Sequence, residues 1–149
     1  MNAQITYRYM KWISPQEMHK VSLSWFSELS FVRDEQLFLG DLLKSYTLQF
    51  SDLTIFDESR RVIGAISKAK KEVVVLLKKV QAHYNQLEIM VDDIDQPKME
   101  KAYRDTYWDL LIEIEGYLHE YRNLKSRLFR LIAKVMKKDR GQRLLTKPK

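Results

Sequence analysis

The chain has 149 residues and 17.9 kDa, the size of one domain, with 45% hydrophobic and 31% charged residues, enough apolar material to bury a core. Four glycines and three prolines are too few for the turns of a sandwich, a barrel or a doubly wound sheet, so composition points to long helices with few connections. The absence of cysteine excludes a disulfide framework, a thiolate zinc site and a cysteine nucleophile, and the formal charge of +6 marks a basic chain.

The opening stretch holds Ile5, Tyr7, Tyr9, Met10, Trp12 and Ile13, which is too aromatic for a disordered tail. It is expected to pack across one end of the fold near Tyr103 and Trp108; a partner-binding arm is the alternative. It carries no apolar leader core, and no apolar run in the chain reaches the ~20 residues a bilayer requires. The expectation is a cytoplasmic protein with no transmembrane segment.

Ser14-Pro15-Gln16-Glu17 is a helix start: a capping serine, a proline at the first helical position and a glutamate that completes a capping box. The predicted helix runs over 15–50 with a seam of Met18, Ser22, Trp25, Leu29, Val32, Gln36, Leu39, Leu43, Tyr46 and Phe50. A break at Ser51-Asp52-Leu53-Thr54 precedes a second helix over 55–92. Its seam is Val62, Ile66, Ala69, Val73, Leu76, Val80, His83, Leu87, Met90 and Ile94, widened by Ile63, Leu77, Tyr84 and Val91. After the acidic run ending at Pro97, a third helix over 98–140 has Tyr103, Tyr107, Leu110, Ile114, Tyr117, Tyr121, Leu124, Leu128, Leu131 and Val135.

Sustained 3.5-residue periodicity signals supercoiled packing, and short connections favour antiparallel neighbours. The fold class is therefore all-α: an elongated, antiparallel up-down-up three-helix bundle, coiled-coil-like. Residues 1–149 form a single helical-bundle domain, with 1–14 an N-terminal aromatic segment and 141–149 a basic tail. Level residues should sum to about 105 between the first two helices and about 192 between the second and third, within about a heptad. Three long helices around the Trp25 region resemble a spectrin-type repeat. The resemblance concerns architecture alone, the helices here run longer, and it implies no functional residue.

A search for chemistry finds no catalytic constellation. The positions three before His19, His83 and His119 are Gln16, Val80 and Gly116, not the glutamates of a di-iron bundle. Gly40, Gly64 and Gly116 are solitary, so no loop cradles a phosphate. No catalytic residue, cofactor or metal is expected. His83 interrupts an apolar seam and should lie level with Ser22 and with Tyr107 or Leu110. A buried layer of Ser22, His83 and Tyr107, hydrogen-bonded and fixing helix register, is the expectation; a pH-responsive or ligand-binding layer is the sharper alternative. Gly40 and Gly64 lie nearly level, suggesting close approach of the first two helices or else a notch for a ligand.

Charge layout carries the functional signal. Residues 122–149 hold eleven basic side chains and one acid, and the register divides the chain into a half at +13 (36–79 with 122–149) and a half at −7. Arg127, Arg130, Lys134, Lys137 and Lys138 share an arc of about 100° beside the core seam. They form the expected binding pole, with Lys68, Lys71, Lys78 and Lys79 able to extend it. Charge that merely complements the helix dipole is the plain alternative. The reading is a non-enzymatic interaction or scaffold protein with a basic pole for an acidic partner, that is, another protein or a second copy. Nonspecific binding to nucleic acid or an anionic surface through the basic C-terminal helix is the alternative function.

Overall fold

Three helices carry the chain in a computed structural model, which describes the backbone of residues 13–46, 55–92 and 97–146 and the side chains of these residues other than 89–99, 139 and 142–146. They are α1 (Pro15–Ser45), α2 (Phe56–Asp92) and α3 (Pro97–Thr146). They pack against one another as an all-α three-helix bundle, and no strand occurs among the described residues.

Local chemistry accounts for the helix ends. Ser14 Oγ accepts the amide N–H of Glu17 at 3.2 Å and its carbonyl accepts that of Met18 at 2.9 Å, so the predicted cap starts α1. The helix stops at Ser45, earlier than expected: Ser45 Oγ donates to the Leu42 carbonyl at 2.7 Å, and Tyr46 N–H bonds to Leu43 in a tightened last turn. Phe50 and the break that follows lie outside the described residues. At the other end α3 outruns its predicted limit of 140, and residues 141–146 of the expected tail are helical. One glycine at 141 is too weak a breaker among good helix formers.

The seams bury as their spacing requires. Met18, Ser22, Trp25, Leu29, Val32, Gln36, Leu39 and Leu43 are buried on α1, and Val62 through Leu87 on α2. On α3, Tyr107 through Val135 are buried, while Tyr103 and Tyr46 are half-buried. Ile63, expected to widen the α2 stripe, is exposed.

Packing divides into two compact units: the described part of Met1–Arg33 with Glu72–Leu118, and Asp34–Lys71 with the described part of His119–Lys149. In the first, Lys79 of α2 pairs with Glu113 of α3 at 2.9 Å, and His19 of α1 stacks on Tyr84 of α2. Ile13 is buried and its carbonyl accepts from the Arg104 guanidinium, while residues 1–12 of the aromatic segment lie outside the described residues. In the second, Lys134 of α3 pairs with Glu58 of α2 at 3.1 Å. Both α2–α3 pairs are those the expected register places level.

Candidate functional site

The second unit carries the basic face. Arg127, Arg130, Lys134, Lys137 and Lys138 are all exposed, because Leu124, Leu128, Leu131 and Val135 claim the adjoining arc of α3 for the core. Arg130 Nε donates to the Ser126 carbonyl at 3.2 Å, which lays its guanidinium along the helix. The Lys134–Glu58 pair is open to solvent on both sides. The unit holds 17 basic and 8 acidic residues, a formal +9, and the first unit 9 basic and 12 acidic, a formal −3. The polarity is milder than the expected +13 and −7, since Lys78 and Lys79 fall in the acidic unit together with Glu72, and Asp34, Glu35 and Glu120 fall in the basic one.

The polar layer of the first unit is buried as expected but is not a hydrogen-bonded layer. Ser22 Oγ donates to the Met18 carbonyl of its own helix at 2.8 Å. His83 Nδ1 and Nε2 and the Tyr107 hydroxyl are buried without a hydrogen-bond partner. Aromatic packing explains the difference. Tyr107 lies stacked on Trp25 at 4.9 Å, meets the edge of Trp108 at 5.3 Å and faces the tilted His83 ring at 6.2 Å. Tyr107 and His83 thus meet in a ring contact rather than a hydrogen bond. Burial disfavours the imidazolium and lowers the His83 pKa to about 4. Burial, reinforced by Glu115 and Glu17, raises the Tyr107 phenol to about 12.

Two shallow grooves flank these features. The first, about 290 Å³ by volume, lies between α2 and α3 of the first unit, with His83, Ala82 and Leu110 beneath the Lys79–Glu113 pair and Asp109. The second, about 270 Å³, lies between α1 and α2 of the second unit over Gly40, with Leu43, Ile63 and Ile66 on its walls and Lys44, Ser67 and Lys70 at its rim. A Cβ on Gly40 would meet the Lys70 ammonium at 3.1 Å, whereas nothing lies within 4 Å of one on Gly64. The expected close approach of helices at both glycines is therefore corrected. Neither glycine is pressed against another helix's backbone, and only Gly40 lies under a side chain, in a notch.

Sequence reading missed two features. Glu35 accepts the Tyr121 hydroxyl at 2.7 Å and the Lys125 ammonium at 3.0 Å, while that ammonium also sits 5.1 Å from the Tyr121 ring centroid. The apolar residues off the seams were also passed over: Phe31 is 65% exposed and Leu37 and Phe38 61% each. Their off-seam spacing on the first helix was the signal. Among the described residues no group of three or more His, Asp or Glu side chains could hold a metal ion, and no helix is long and apolar enough to cross a membrane.

No protein-family model, curated protein or solved structure matches this chain.

Proposed function

We propose that this is a non-enzymatic interaction module of the cytoplasm whose basic face, Arg127, Arg130, Lys134, Lys137 and Lys138, docks an acidic protein partner. One observation carries the reading: these five side chains are exposed on one arc of α3, and that helix continues to Thr146. Lys138 thus lies roughly two turns before the helix end at ~3.6 residues per turn, and Arg127 lies further still. The helix dipole acts within the last turn, so it does not account for the stripe. Like charges at three- and four-residue spacing repel by a few tenths of a kcal/mol per pair, so folding alone does not favour it either. Exposed Phe31, Leu37 and Phe38 are consistent with a protein whose surface is used for contact.

The test is a reversal of Arg127, Arg130, Lys134 and Lys137 to Glu, with a labelled Asp/Glu-rich peptide and random-sequence DNA and RNA as probes. Peptide binding by the native chain and its loss in the reversed one supports the proposal. Binding that survives reversal removes it. Stronger binding to nucleic acid than to the peptide, weakening with salt at a logarithmic slope of roughly 0.7–0.9 per phosphate contact, selects the alternative reading instead.

A further inference from the structure

The notch over Gly40 has no explanation in packing. Glycine is the least favourable residue after proline for a helix interior, and Gly40 lies within α1, five residues from its end. What an added Cβ would meet is the far end of a flexible lysine, Nζ at 3.1 Å and Cε at 3.8 Å of Lys70, which can swing aside. A helix crossing that demanded glycine would present backbone there. The consequence of the missing side chain is the groove itself. Its walls are Leu43, Ile63 and Ile66, and Ile63 is 44% exposed. Its lining includes two cations, Lys44 and Lys70, and no acidic residue.

From these observations we infer that the notch seats one large apolar side chain, preferably aromatic, of an acidic peptide segment, whose flanking carboxylates pair with Lys44 and Lys70. At about 270 Å³ the groove is shallow and has room for one large side chain. A single aromatic anchored in a pocket and ringed by charge is the recurrent form of an interface hot spot. The inference rests on the acidic-partner reading and names what such a partner must present.

The test uses two labelled peptides, one with a tryptophan between paired Asp and Glu residues, the other with serine in its place. The native chain should bind the tryptophan peptide at least tenfold more tightly. Gly40→Leu should remove that preference while leaving the helical signal and the unfolding midpoint equal or higher, and Gly40→Ala should reduce it. Lys44→Glu with Lys70→Glu should weaken binding of the tryptophan peptide at least tenfold. Equal affinity of the native chain for the two peptides, or a preference that survives Gly40→Leu, overturns the notch. If both peptides then bind equally and the four-residue reversal abolishes that binding, the basic face stands and only the notch falls. If neither peptide binds, both readings fall. A tryptophan preference lost in Gly40→Leu but kept in the reversed chain supports the notch and removes the basic face.

Discussion

A neutral imidazole enclosed without a partner for either nitrogen makes His83 an expensive residue, since an unsatisfied buried polar group costs about 1–3 kcal/mol. Its pKa also ties stability to pH. The folded value of about 4 lies below the ordinary imidazole value of 6.5 that holds in the unfolded chain. Below pH 6.5 the unfolded chain therefore binds a proton that the folded chain refuses. This residue's contribution to stability is fully present above pH 6.5, falls as pH drops towards 4 and levels off below it. The whole window amounts to roughly 3 kcal/mol at ~1.36 kcal/mol per unit. His83→Leu, of similar size with no polar atom, should leave stability at pH 7.5 unchanged or higher and lose less stability than the native chain as pH falls, so that the native-minus-variant difference in urea midpoint drops across that window. A variant as acid-sensitive as the native chain would place the proton elsewhere. Leu128 shows the opposite economy. It is fully buried, and Leu128→Ala should cost about 2–5 kcal/mol in chemical denaturation. A midpoint that barely moves would mean the α3 seam is not a core.

Individual helices owe their limits to local chemistry and their lengths to the absence of breakers. α1 has a capped start and a tightened end, whereas α3 runs through Gly141 to Thr146. Gly64 tests how much of α2 is plain helix. It is exposed with nothing within 4 Å of an added Cβ, so Gly64→Ala should raise stability by about 0.5–1 kcal/mol through backbone entropy. Thermal unfolding checks this, and a loss of stability would restore the close approach that the glycine pairing suggested. Between elements, the Glu35–Tyr121–Lys125 cluster ties α1 to α3 in the second unit with partly screened charges. It adds alignment more than energy.

At the scale of the whole molecule, charge and fold are nearly independent. Reversing Arg127, Arg130, Lys134 and Lys137 to Glu takes the formal charge from +6 to −2, four changes of two units each. The ion pair it breaks is Lys134–Glu58, exposed on both sides and worth ~1 kcal/mol at most. The far-ultraviolet circular dichroism of the reversed chain should therefore match that of the native one. A marked loss of helix would show that the basic face is needed for folding rather than for contact.

Much of this protein was legible in its sequence because burial on a helix depends on azimuth, and azimuth repeats with the 3.6-residue turn whatever the neighbour. That is why the seam through Leu76, Val80, Leu110 and Leu128 and the exposure of Arg127 to Lys138 could be read without a partner in view. The Ser14 cap was equally legible, being a contact across three residues. Tertiary structure decided the rest. The orphaned nitrogens of His83, the hold of Glu35 on Tyr121 and Lys125, and the notch over Gly40 depend on rotamers and inter-helix offsets of a few ångströms. Counting residues between turns fixes level only to about a heptad, some 10 Å along a helix at ~1.5 Å per residue. A hydrogen bond is satisfied or lost within a small fraction of that distance.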